Sequence, residues 1–95
     1  MRQGCVYILT NKPYGTLYIG MTSNLSERLA QHRNGTGSDF TKKYGLTRLV
    51  YYETHDLVTT AIARETSLKR WKRNWKIDLV TSINPDWKEL DWTLV

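Results

Sequence analysis

The chain has 95 residues, 40% of them hydrophobic, which fits a single domain over 1–95 with a compact but shallow core. Its 14 Lys and Arg outnumber 9 Asp and Glu, for a formal charge of +5, and that balance points to a polyanion, nucleic acid first, although many small proteins are mildly basic without one. A lone cysteine, Cys5, excludes an intrachain disulfide, the spacing of Cys5, His32 and His55 fits no zinc motif, and no apolar run approaches the ~20 residues of a membrane-spanning helix.

No secretory signal pattern precedes the first strand, so a reduced, cytoplasmic setting without a membrane partner is the expectation. Residues 5–9 read as that strand, built of Cys, Val, Tyr, Ile and Leu. Asn11, Lys12, Pro13, Tyr14 and Gly15 carry turn chemistry, and residues 16–20 then read as the second strand of a hairpin. Asn24 is a helix cap with Glu27 three residues on, as in a capping box, and Leu25 and Leu29 keep the i, i+4 spacing. Gly35, after Asn34, stops this helix. Residues 35–45 are polar and glycine-containing and read as a loop. Leu49 to Tyr52 form a third strand. A helix opening at Asp56 or Thr59 carries Ala61, Ile62 and Leu68, and a second carries Trp75, Leu79, Val80 and Ile83 before Pro85. A break near Asn74 is expected, because one unbroken helix would be long for so small a domain. The tail, with Trp87 and Trp92, is expected to pack back on the core. The order β-β-α-β-α-α makes an α+β fold, a small three-stranded antiparallel sheet flanked by helices.

Four features ask for more than packing. Glu65 lies three or four residues from Ala61, Ile62 and Leu68, so a carboxylate shares the apolar face of its helix. An unpaired buried carboxylate is costly. Its compensation is an arginine, solvent at a rim, or a metal. Arg28 and His32 are i, i+4 and point the same way, and the helix read alone favours a surface arginine and a histidine stabilised by the helix dipole. Lys69, Lys72, Arg73 and Lys76 make one basic stripe if the helix is unbroken, beside Trp71 and Trp75. That suits phosphate contact and base stacking, although the tryptophans fit the core better. Tyr7 and Tyr18 come from paired strands, where their rings can meet. A neutral phenol is a poor base unless its pKa is lowered.

Together these residues resemble the GIY-YIG nuclease family. The resemblance rests on Cys5-Val6-Tyr7, Tyr18-Ile19-Gly20, Arg28 and His32 on the next helix, and Glu65 on the following one. It covers essentially the whole chain and is closest to the small stand-alone bacterial members. It implies the same α+β fold and a divalent-metal-dependent DNA endonuclease that uses Mg²⁺ or Mn²⁺. By position, Glu65 would be the metal ligand and Arg28 would contact the scissile phosphate. Tyr7 and Tyr18 would position or deprotonate the attacking water with help from His32, and nearby cations would lower a tyrosine pKa. Lys69, Lys72, Arg73 and Lys76 would bind the DNA backbone.

The chain departs from the family at Cys5, where the motif has glycine, and at Met21, where several relatives carry lysine. Ile77 stands where some have asparagine; Asn84 lies further on and takes no catalytic role. Family enzymes usually take specificity from a separate domain. This leaves a DNA structure, non-specific action or a partner protein as the source of targeting. Two other classes compete: a nucleic-acid-binding module of the same fold with little catalysis, and an adaptor that docks a partner through exposed tryptophans.

Overall fold

A computed structural model describes residues 3–91. The expected α+β fold is observed, a three-stranded antiparallel sheet with helices on both faces. The strands are β1 (Gly4–Thr10), β2 (Leu17–Thr22) and β3 (Arg48–His55), and the helices are α1 (Leu25–Arg33), α2 (Asp39–Tyr44), α3 (Val58–Arg70) and α4 (Arg73–Ile83). The sheet order is β2-β1-β3, so β1 is central, and all seven of its residues are buried.

Alternation along β1 divides the core into two layers. Cys5, Tyr7 and Leu9 face α1 and pack with Leu25, Leu29, Leu46 and Leu49. Val6 and Ile8 face α3 and α4 and pack with Ile19, Val50, Ala61, Leu68, Val80 and Trp87. The register sets Tyr7 opposite Gly20 on one side and Tyr52 on the other. A bulge after Ile8 steps the β3 partner from Tyr51 to Leu49, which turns the extra Val50 into the α3–α4 layer.

The α1 caps agree with their sequence signals. The Asn24 side chain accepts from the Glu27 amide at 3.1 Å, and Gly35 follows the C-cap Asn34 with φ 76°. The stretch 35–45 is not all loop. It contains α2, capped by Ser38 and ended by Gly45 at φ 64°. Six residues carry too little periodicity to announce a helix, although Ser38 and Gly45 are its start and stop signals.

The α3–α4 break falls at Trp71 and Lys72, earlier than Asn74 and without glycine or proline. Trp71 leaves helical geometry at ψ 149° and packs against the core, with the Arg64 guanidinium 5.1 Å from its ring centre. The tail does return through Trp87, which is fully buried, stacks on Tyr14 at 4.9 Å and donates to Thr81. Asn84 fastens it: its amide donates to the carbonyls of Val50 at 3.0 Å and Lys88 at 2.8 Å. Trp92 lies outside the described residues. Among the described residues no helix is long and apolar enough to cross a membrane.

Candidate active site

Three of the five expected site residues meet ring to ring on the α1 side of the sheet. Tyr7 lies 6.3 Å from Tyr18 and 5.9 Å from His32, and Tyr18 lies 5.6 Å from His32. Gly20 makes room for this cluster. A β-carbon there would overlap the Tyr7 ring and hydroxyl, so the strand opposite Tyr7 must present no side chain. Gly37 does the same for the His32 ring.

His32 is buried, although it lies in the last turn of α1. Its two ring nitrogens have different partners. Nδ1 lies 2.9 Å from the Thr41 hydroxyl and Nε2 lies 3.0 Å from the Tyr7 hydroxyl. Thr41 gives its own proton to the Ser38 carbonyl at 2.9 Å. The network therefore assigns the proton to Nδ1, which donates to Thr41, and Nε2 accepts from Tyr7. Burial, with the Arg28 charge adding to it, holds His32 below its ordinary pKa, so the neutral form is favoured. The helix dipole works the other way and loses here.

Tyr7 corrects an expectation. Its phenol is not lowered in the protein alone: burial pushes it well above the ordinary range, Tyr18 and Glu65 add to that, and Arg28 opposes it. Free phenolate is therefore disfavoured, but a concerted handover to His32 Nε2 does not need one. Cys5 is also held protonated, pushed up to about 11 chiefly by burial.

Arg28 is exposed one turn before His32. It lines an open cleft of about 480 Å³ with Thr22, Ser23, Asn24, Glu27 and Gln31. Of the five residues, Arg28 alone lines this cleft; Tyr7 and His32 are buried and Tyr18 is half-buried. Glu65 comes close enough for its charge to act on Tyr7. It is not sealed in the core. Its side chain is 21% exposed and lies 3.7 Å from the exposed Lys69, one helical turn on. Ile62, taken as part of its apolar face, is exposed. Glu65 thus sits at a rim open to water, not paired with an arginine inside the core.

The basic stripe does not survive the helix break. Lys72 is the N-cap of α4 and leans on Trp75, while Lys69 faces Glu65. Arg73 donates to the carbonyls of Tyr14 and Gly15, both at 2.8 Å, and Lys76 donates to the Lys69 carbonyl. Trp71 packs on the core as expected, but Trp75 is 53% exposed. The sequence reading missed Thr41, the residue that fixes the His32 tautomer. It also missed Phe40, which stacks on Tyr18 at 6.2 Å.

Among the described residues no three His, Cys, Asp or Glu side chains cluster as a metal cage. A lone carboxylate fits Mg²⁺ or Mn²⁺ only where water and a substrate phosphate fill the remaining positions, as the hard, strongly hydrated cation permits.

The profile of the GIY-YIG catalytic domain matches residues 3–78. A UPF0213 protein of Clostridium perfringens is 40% identical over 77 residues, 81% of this chain and 82% of that protein. One from Staphylococcus saprophyticus is 34% identical over 76 residues, 80% of this chain and 92% of that protein. Among solved structures, the solution structure of a UPF0213 protein from Bacillus halodurans is similar, with a TM-score of 0.58 and 28% identity over 92% of each chain.

Proposed function

The chain belongs to the GIY-YIG family, among its UPF0213 proteins, and from that premise we propose that it is a divalent-metal-dependent endonuclease acting on DNA. A nuclease domain implies a nucleic-acid substrate. The basic charge and the exposed Arg28 beside an open cleft support a polyanion. The observation that carries the catalytic reading is the hydrogen bond from Tyr7 to His32, with the His32 acceptor nitrogen fixed by Thr41.

In this reading Arg28 holds the scissile phosphate through its paired donors. The Tyr7 oxygen takes a proton from the attacking water while its own proton passes to Nε2 of neutral His32. Arg28 and the resulting imidazolium then face the negative charge that gathers on the phosphate. Tyr18, packed on both partners, holds the rings in place. Of the two tyrosines, Tyr7 is the base because it has a proton acceptor. Glu65 would hold a Mg²⁺ or Mn²⁺ ion, which supplies Lewis-acid polarisation of the phosphate when bound. Lys69 and Lys72 would extend the backbone contacts. A partner protein, or a structure in the DNA, would direct the enzyme to its target.

A second reading, a DNA-binding module with little catalysis, draws on the lone carboxylate and on Met21 and Ile77 at positions where relatives carry polar residues. One assay separates them: nicking of supercoiled and branched DNA with Mg²⁺ or Mn²⁺, for the protein and for Glu65→Gln. The expected result is cleavage that nearly vanishes in the variant while DNA binding persists. Among the described residues Glu65 pairs only with exposed Lys69. Its loss therefore strands no buried cation, and stability should change by less than about 1 kcal/mol. Full nicking by Glu65→Gln would remove Glu65 from the mechanism, and no nicking by the unaltered protein would favour the binding module.

A further inference from the structure

The site does not end at Tyr18. Phe40 stacks on it at 6.2 Å and 29° between planes, and Tyr44, one turn along α2, lies 4.9 Å from Phe40. The row Tyr7, Tyr18, Phe40, Tyr44 thus runs from buried to open: Tyr7 is 1% exposed, Phe40 44% and Tyr44 45%. Two neighbouring rings left in water on a six-residue helix gain little from packing. The helix is nevertheless tied to the site, because Thr41 between the two rings is buried and bonded to His32.

The charge around these rings says what fits on them. Lys42 and Lys43 lie between Thr41 and Tyr44, both exposed, and among the described residues neither meets a carboxylate within ion-pair distance. The Lys43 ammonium sits 5.4 Å from the Tyr44 ring centre. Exposed aromatic rings with an ammonium group over one of them, and a second lysine on the same short helix, match a ligand with flat rings and spaced negative charges. That ligand is a nucleic-acid strand whose bases are free to stack. A fully paired duplex keeps its base faces covered by their neighbours and offers the rings only its edges and backbone.

We infer that Phe40 and Tyr44 form a stacking platform for unpaired nucleotides of a DNA strand beside the scissile phosphate, with Lys42 and Lys43 on the adjoining phosphates. This rests on the nuclease reading for its substrate and deepens it: the preferred target is DNA with a single-stranded segment, such as a flap, a bubble or a free strand.

The test reads binding, not cleavage. Fluorescence anisotropy of a labelled oligo-dT strand gives affinity, and quenching of a 2-aminopurine within a strand reports stacking. The protein should bind the strand and quench the probe. Tyr44→Ala is the cleaner variant, since Tyr44 does not touch Tyr18. It and Phe40→Ala should each weaken binding by about five- to 100-fold and lose the quench, the effect of removing one stacked base. Tyr44→Phe and Phe40→Trp keep a ring and should retain both signals. Ile83→Ala, an exposed apolar residue of α4, should bind as the unaltered protein does. Melting temperatures confirm that each variant is folded.

The proposal is overturned if the protein does not bind oligo-dT, if it binds oligo-rU alone, or if the alanine variants bind as tightly as the parent. Equal losses on a fully paired hairpin would overturn it too. So would a change of oligomeric state with strand binding intact, which would mark the rings as a protein-docking surface. Failure of the nuclease reading looks different: strand binding and quenching remain, and no DNA is cut.

Discussion

His32 decides how protons can move in this site, because Thr41 and Tyr7 hold its two nitrogens in opposite roles. Its pKa is lowered by burial and by Arg28, while the rings of Tyr7 and Tyr18 pack edge-on against it. The consequence for stability has a definite sign. The unfolded histidine takes up a proton near its ordinary pKa of about 6.5, where the folded protein still resists one. Stability is therefore complete above that value and is lost as pH falls toward the lower, folded-state pKa. His32→Gln keeps an acceptor for the Tyr7 hydroxyl and does not titrate. Between about pH 7.5 and pH 5 the melting temperature of the natural protein should fall more steeply than that of the variant. Parallel curves would show that His32 is not the group being protonated. That the two tyrosines could meet was legible at this scale from the paired strands, while the register that puts both on one face comes from the structure. The burial of His32 was not, because its anchor Thr41 lies in a stretch without visible periodicity.

Elements show the same division. The hairpin, the caps of α1 and the third strand follow local rules, and their sequence signals describe them well. The α3–α4 break and the return of the tail follow tertiary packing instead. Trp71 ends α3 by turning into the core, and no residue near it is a helix breaker. The basic stripe was read from helical spacing and vanished with the helix continuity it required. Asn84, lying past α4, is explained by structure: it is buried and joins the tail to β3 through Val50. Asn84→Ala would leave the Val50 and Lys88 carbonyls without donors and the Lys88 amide without its acceptor. The expected loss is roughly 2–4 kcal/mol in urea unfolding. Asn84→Asp should not restore it, because a carboxylate cannot donate. A loss under about 1 kcal/mol would mean that water replaces the strap.

At the scale of the molecule, the proton network and the aromatic row lie with α1 and α2 on one side of the sheet, while α4 packs on the other. The net charge of +5 is a property of the whole surface, and composition cannot say which cations touch DNA and which hold the fold. Structure separates two neighbours that spacing made equivalent. The Lys72 ammonium is exposed and rests over the open face of Trp75. The Arg73 guanidinium is occupied by the carbonyls of Tyr14 and Gly15, which ties α4 to the β1–β2 turn. If α4 contacts the DNA backbone, Lys72→Ala should flatten the plot of log affinity against log salt for duplex by about 0.9, one phosphate's worth of released counterions. Arg73→Ala should leave that slope almost unchanged and lower the melting temperature instead, because it removes two structural hydrogen bonds. Reversed outcomes would exchange the roles of the two residues. A slope unchanged in both variants would take α4 out of the interface and leave Arg28, Lys42 and Lys43, on the side of the proton network, to carry the backbone contacts.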